Sequence, residues 1–282
     1  MDTFLSTGGF NKKKPSEIIK ILKKNKIFNI ELSGGKYEKN LTKKILNFNH
    51  KTKIMIHNYF PYYKDNFVFN LSSQNKKIVK KSINLAKAGI RINSKLRNGF
   101  YAFHAGFLFD PAINMLGDKP VPSIVIDRKK ALSSFIKNVK ILAKYAKKKN
   151  VTLLIENNVV SSNQYSKYNY KPLMCDTIET SYIMKNTPKN VFILLDFGHL
   201  KVSSSTLSFS KSKYISKLNK YILAYHLSEN KSKSDDNLEF TNNSWFWKYI
   251  KKNAKYCSVE VYDKKINKLK NLIKLVDRKI NL

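Results

Sequence analysis

Cysteine is nearly missing from this sequence. Cys175 and Cys257 are the only two in 282 residues. That number is too small for a disulfide framework, which excludes the small cross-linked secreted scaffolds. Both are expected to be buried, reduced thiols. Nine glycines and seven prolines are too few for a collagen-like or low-complexity chain, and the apolar fraction of 42% fits a globular one. No apolar stretch reaches the ~20 residues that a bilayer-spanning helix needs. The opening MDTFLSTGGF has no basic region followed by an apolar run, so no secretory signal is expected. These absences point to a cytoplasmic protein without a membrane partner. No GxGxxG follows a first strand, which argues against a dinucleotide-binding sheet.

Acidic residues and arginine are also scarce. The chain has 19 Asp and Glu against 54 Lys and Arg, a net charge of +35. The arginines are Arg91, Arg97, Arg128 and Arg278, so the positive charge is almost all lysine. A strongly basic chain is a candidate for nucleic acid or another polyanion. Here the lysines scatter over several helical stretches (Lys12–Lys14, Lys23–Lys24, Lys147–Lys149, Lys251–Lys252) and form no single block. Asparagine and isoleucine are abundant too, a composition that A- and T-rich codons produce by themselves. Solvated helix faces therefore account for most of the charge, which should still favour anionic ligands such as sugar phosphates.

What the chain does have is one pattern, repeated: a short apolar strand that ends in an ionisable residue. Val191–Leu200, VFILLDFGHL, is the strongest instance, an apolar run that reads as a buried parallel strand and leads to Asp196 and His199. The others are Thr3–Ser6, Ile27–Leu32 with Glu31, Lys53–His57, Phe100–His104, Val151–Glu156, Tyr221–His226 and Tyr256–Val261 with Glu260. Between them lie helical stretches. Pro15 opens one whose apolar stripe is Ile18, Ile21 and Leu22, and others cover Glu38–Asn47, Lys77–Ala88, Arg128–Lys148, Thr177–Lys185, Trp245–Lys252 and Ile266–Val276. The Phe107–Ile124 segment, with Pro111, Gly117, Pro120 and Pro122, reads as a loop long enough to be a lid. Strand ends spaced roughly 30 to 50 residues apart fit βα units. Eight strands alternating with helices predict a single-domain α/β (β/α)8 TIM barrel over residues 1–282. An open doubly wound sheet is the rival.

In such a barrel the strand ends meet at one mouth. The residues there are Glu31, His57, His104, Glu156, Asp196, His226 and Glu260, with His199 just beyond the sixth strand. Of the five histidines only His50 lies elsewhere. Any one of these alone reads as a satisfied structural group. Together, several carboxylates at one point repel one another unless a cation or protons sit among them, and a divalent metal supplies that compensation.

The chain resembles the xylose isomerase-like TIM barrel superfamily, which holds sugar isomerases, ketose epimerases and endonuclease IV. The likeness runs from FNIELS to YCSVEVYD, and its specific parts are LIENN, LLDFGHL, AYHLSEN and VEVYD. The resemblance implies that Glu156, Asp196, His226 and Glu260 are the ligands of one catalytic metal, with Glu156 and Glu260 the catalytic acid and base. It makes His199 a substrate-binding or second-metal residue. Three carboxylates and one imidazole suit Mn²⁺, Mg²⁺ or Co²⁺ and tolerate Zn²⁺. The expected activity is a metal-dependent isomerase or epimerase acting on a sugar or sugar phosphate.

Zinc-dependent cleavage of phosphodiesters is the alternative. HNY at His57, FNLSS at Asn70 and FHAG at His104 resemble endonuclease IV segments, and the resemblance implies further zinc sites at His57, His104 and His199, with Asp236 a possible additional ligand. Against it, Asp235-Asp236-Asn237 stands where endonuclease IV has an aspartate, one residue and a histidine. Phe60–Phe69 interrupts the HNY and NLSS segments, and arginine, the usual residue for firm phosphate contacts, is scarce. A non-catalytic binding barrel is the third reading. The expected partner is a small sugar or sugar phosphate, with nucleic acid less favoured and a homo-oligomer left open. Tyr59, Tyr62, Tyr63, Tyr165, Tyr168 and Tyr170 are candidates for stacking on a sugar or a base, and Lys171 or Lys231 for holding a phosphate. Trp245 and Trp247 read as packing.

Overall fold

Strands form where the apolar runs stand. In the computed structural model they are β1 (Asp2–Ser6), β2 (Asn29–Leu32), β3 (Lys53–Ile56), β4 (Phe100–His104), β5 (Thr152–Glu156), β6 (Val191–Asp196), β7 (Ile222–Leu227) and β8 (Tyr256–Val259). All pair in parallel, in the order β3-β2-β1-β8-β7-β6-β5-β4. A parallel bridge between His57 and Ala102 joins the two ends, and the Asn58 N–H donates to the Ala102 carbonyl at 2.7 Å. The sheet is therefore a nearly closed barrel, and the chain folds as the expected single-domain TIM barrel. The structure describes all residues except 49, 50, 59, 61, 62, 65, 66, 116–118, 123, 124, 264, 281 and 282, together with the side chain of Asn114. His50, Tyr59, Tyr62 and part of the Phe107–Ile124 loop lie outside the described residues.

The helices are α1 (Pro15–Lys24), α2 (Leu41–Leu46), α3 (Lys76–Lys95), α4 (Arg128–Lys147), α5 (Ser162–Tyr168), α6 (Thr177–Lys185), α7 (Phe197–Thr206), α8 (Lys211–Leu218) and α9 (Ile266–Ile280). Side-chain oxygens cap several of them: Asn75 on α3, Asp127 on α4 and Asp176 on α6 each accept from a first-turn N–H. Among the described residues no helix is long and apolar enough to cross a membrane.

Four elements differ from the expectation. The organising strand stops at Asp196, and α7 begins at once. Phe197, Gly198, His199, Leu200 and Val202 are all buried there, so the helix has no polar stripe by which sequence periodicity could announce it. Neither α7 nor the short, lysine-rich α8 is legible in the sequence, and α5 forms inside what reads as the Asn157–Lys171 loop. In the opposite sense, the helix expected over Trp245–Lys252 is only a 3₁₀ turn, Trp247–Tyr249. Its aromatics pack instead on Phe197, whose ring lies 5.4 Å from Trp245 and 5.1 Å from Phe246.

The core has two parts. The larger one lies between the sheet and the surrounding helices. The smaller fills the barrel and contains Phe4, Met55, Ala102, Leu154, Leu194, Ala224 and Tyr256. Side chains alternate along a strand, so the residue two positions on shares the same face. Two positions on from these seven stand Ser6, His57, His104, Glu156, Asp196, His226 and Ser258. An apolar floor is thus topped, one pleat higher, by a polar layer at the C-terminal mouth.

Candidate metal centre

Four strands bring the expected ligands together. Glu156 ends β5, Asp196 ends β6, His226 is on β7, and Glu260 follows β8. Each offers a ligand atom, and these atoms all lie within 4.8 Å of one another. The four residues are buried, at 1%, 1%, 0% and 8% exposure. His226 Nδ1 stands 2.6 Å from Glu260 Oε2, 3.5 Å from Glu156 Oε1 and 3.8 Å from Asp196 Oδ2. Yet His226 Nδ1, both Glu156 oxygens and Asp196 Oδ2 have no hydrogen-bond partner. Buried polar atoms are seldom left in that state. Charged atoms this close, paired with one another but without well-directed hydrogen bonds, have the spacing of ligands around a common point. The donor set of three carboxylates and an imidazole fits a divalent cation.

Local structure fixes each side chain. Asp196 divides its two oxygens: Oδ1 caps α7 by accepting the His199 N–H at 2.6 Å, which leaves Oδ2 facing the mouth. The Asn157 amide brackets the same residue, accepting from the Asp196 N–H at 2.8 Å and donating to its carbonyl at 3.1 Å. The Asn157 carbonyl in turn lies 2.8 Å from His199 Nδ1. These contacts lock the β6–α7 corner.

A second trio, His57, His104 and Glu156, also meets within 4.8 Å. His57 Nε2 is 3.1 Å and His104 Nδ1 is 3.6 Å from Glu156 Oε2. Glu156 thus turns one oxygen to each group. His199 Nε2 lies 3.2 Å from Asp235 Oδ2. Here the structure departs from the sequence reading, which named Asp236. Asp236 is exposed and accepts from the Ser234 hydroxyl, whereas Asp235 faces the mouth. Two adjacent aspartates in an irregular loop carry no periodicity to tell them apart. The Asn237 amide donates to Asp235 at 3.2 Å and so holds that carboxylate.

Charges crowd this layer and shift its protonation. Burial pushes Asp196 up to about 7, helped by Glu156, Asp235 and Glu260 against the pull of His199. Burial would raise Glu156 as well, but His104, His226 and His57 outweigh it and hold the carboxyl well below its usual range. Burial would lower His226, yet Glu31, Glu260 and Glu156 keep it well above an ordinary histidine. His104 goes the other way, to about 4, through burial and the neighbouring His199 and His57, with Glu156 opposing. Without a cation, the layer favours protons on His226 and Asp196 but not on His104.

Glu31 was expected at the mouth, but the sequence did not reveal its partners. It ends a strand like the others, but nothing in its motif says what it touches. It is fully buried, and both its oxygens lie on His226 Nε2, at 3.0 and 3.1 Å. Burial would raise its pKa, but His226 and His57 hold the carboxyl well below the normal range.

A cavity of about 390 Å³ opens beside the candidate ligands. His104, His199 and Asp235 form one side of it, and Phe107, Phe109 and Tyr170 another. The size suits a small molecule. Among the described residues that line it, none is Lys or Arg. Of the tyrosines proposed for stacking, Tyr170 lines this cavity. Tyr165 and Lys171 line a larger groove of about 1270 Å³ between α4 and α6, away from the mouth. Lys171 is paired there with Asp176, and Lys231 is exposed. The two cysteines are buried and form no disulfide.

Solved structures share the fold across almost the whole chain. A D-tagatose 3-epimerase-like protein is 16% identical over 99% of this chain and 100% of its own, with a TM-score of 0.71. The D-psicose 3-epimerase of Clostridium cellulolyticum H10, determined with D-tagatose, is 14% identical over 99% and 96%, with a TM-score of 0.62. A family 2 AP endonuclease from Brucella melitensis is 12% identical over 94% and 95%, with a TM-score of 0.65. No curated protein matches the sequence. The family model described as xylose isomerase-like TIM barrel matches residues 28–273, so the chain belongs to that family.

Proposed function

We propose that this protein is a divalent-metal-dependent isomerase or epimerase acting on an unphosphorylated sugar. The observation that carries this reading is the tetrad Glu156, Asp196, His226 and Glu260, with its orphaned atoms, beside a confined 390 Å³ cavity. Glu156, Asp196, His226 and Glu260 would hold the cation, which would supply Lewis acidity toward a sugar carbonyl and so acidify the neighbouring C–H. The chain's own residues do the rest. Glu156 and Glu260 reach the mouth from separate strands, β5 and the end of β8. One carboxylate removes the carbon-bound proton and the other returns a proton from a different side. Phe107, Phe109 and Tyr170 shield the reacting carbon from water. No Lys or Arg lines the cavity among the described residues, in a chain with 54 of them, which favours an uncharged substrate over the sugar phosphate that net charge suggests.

The test is solvent deuterium incorporation. Purified protein with Mn²⁺ is incubated with D-tagatose or D-fructose in D₂O and the sugar is followed by NMR. Chelator-sensitive labelling beside the carbonyl is the expected result. Protein that carries no divalent ion and accepts none refutes the reading.

One observation favours a second reading, phosphodiester hydrolysis. The His57–His104–Glu156 trio shares Glu156 with the tetrad, and His199 meets Asp235 beside both. Neighbouring metals bridged by one carboxylate suit in-line displacement at phosphorus. Two or three zinc ions per chain, with chelator-sensitive cleavage of an abasic-site duplex, would favour this reading over the first.

A further inference from the structure

Glu31 stands on the inner face of β2, between Ile30 and Leu32, which pack outward in the helix-facing core. A buried carboxylate is costly unless something compensates it. Neither lysine nor arginine does so here. Its close neighbours among the described residues are two imidazoles: His226 Nε2 at 3.0 and 3.1 Å, and His57 Nδ1 at 3.3 Å. The arrangement at His226 is one-sided. An imidazole has two nitrogens, and the one that donates a proton fixes what the other can do. In the singly protonated ring, giving Nε2–H to Glu31 leaves Nδ1 as the nitrogen with the lone pair. That Nδ1 is the atom without a hydrogen bond, 2.6 Å from Glu260 and within reach of Glu156 and Asp196.

We propose that Glu31 is a positioning residue of the metal centre: by accepting from Nε2–H it sets the tautomer and ring orientation of His226 and presents the Nδ1 lone pair to the cation. The inference rests on the metal-binding reading of the tetrad. The same carboxylate reaches His57, so β2 braces a histidine of each group from behind. Glu31 belongs with His57 and His226 in ligand distance but not with the tetrad, which separates its role from that of a tetrad ligand.

The test uses the full chain, stripped of metal and titrated with Co²⁺, whose visible absorption reports binding. Glu31→Gln keeps the shape of the side chain and removes its charge. The expected result is unchanged stoichiometry with affinity weakened about 10- to 100-fold, the usual effect of losing the partner behind a ligand. Glu31→Asp, which pulls the carboxylate back by one methylene, should fall between the two and serves if the glutamine variant does not fold. In a His226→Gln background, Glu31→Gln should weaken binding no further, because the histidine through which it acts is gone. A folded Glu31→Gln protein that binds Co²⁺ like the wild type, even with a lower Tm, overturns the proposal and leaves Glu31 a structural ion pair. Loss of one ion per chain overturns it in favour of a ligand role. Wild-type protein that takes up no Co²⁺ defeats the metal-binding reading itself, and this inference with it.

Discussion

Two layers of the same barrel, one pleat apart, are built on opposite terms. The lower layer, Phe4, Met55, Ala102, Leu154, Leu194, Ala224 and Tyr256, packs apolar surface and little else. The layer above it holds Glu31, His57, Glu156, Asp196 and His226 at 0–3% exposure. Equal burial stabilises the first and strains the second. In the lower layer removal from water is itself the driving force. In the upper layer the same removal is unfavourable for every charge, and what offsets it is a network of imidazoles, carboxylates and, on our reading, a cation. One layer is replaceable by any well-packed set of residues, whereas the other works only as a set.

The sharpest break between the layers should come from Glu156→Gln. Glu156 is shared by the tetrad and the trio, so its loss should abolish metal uptake and any chelator-sensitive activity while the far-ultraviolet circular dichroism stays native. Retained metal and activity would refute a shared role. The matching change below it, Leu154→Ala, should do the reverse: a loss of about 2–5 kcal/mol in denaturant unfolding, with metal stoichiometry preserved in the folded protein. Stability unchanged by that substitution would deny the lower layer its structural role.

Titration should separate the layers less strongly. Burial opposes protonation of His57, but Glu156 and Glu31 outweigh it and push the imidazole up to about 9. A group with its pKa raised by folding adds stability that is complete below its unfolded value, about 6.5 for histidine, and is lost as pH climbs through the folded value. Asp196, raised to about 7, acts in the same sense over a lower window, from about pH 4 to 7. The Tm of chelated protein should therefore fall between pH 6.5 and 9, and added divalent metal should flatten the fall. A chelated Tm that rises across that window contradicts the picture of a layer held by protons. The smallest effect is expected at the rim: Asp235→Ala should weaken binding of any second ion, whereas Asp236→Ala, which alters only an exposed turn, should change neither metal content nor Tm.

How much of this was legible in advance follows the same division. KIMIH, FYAFH, TLLIE, ILLD and LAYH each spell an apolar strand with a polar last inward position, and alternation along a strand makes that readable without coordinates. That pattern made the strand-end residues of the mouth legible, whereas the grouping of Glu156, Asp196, His226 and Glu260 as one set came from the family resemblance. Asp235 was not, because an irregular loop has no period to say which of two aspartates turns inward. α7 was hidden because its buried residues, Phe197, Gly198, His199, Leu200, Val202, Ser203 and Ser204, leave no apolar stripe set against a polar one.

By itself, then, the sequence determined the parallel barrel and the identity of the residues at its mouth, since both follow from local period and strand-end chemistry. Only the tertiary structure decided which of those side chains face one another. Glu31 and His226 are 195 residues apart, and no local pattern encodes that the barrel's closure would set one carboxylate behind one imidazole.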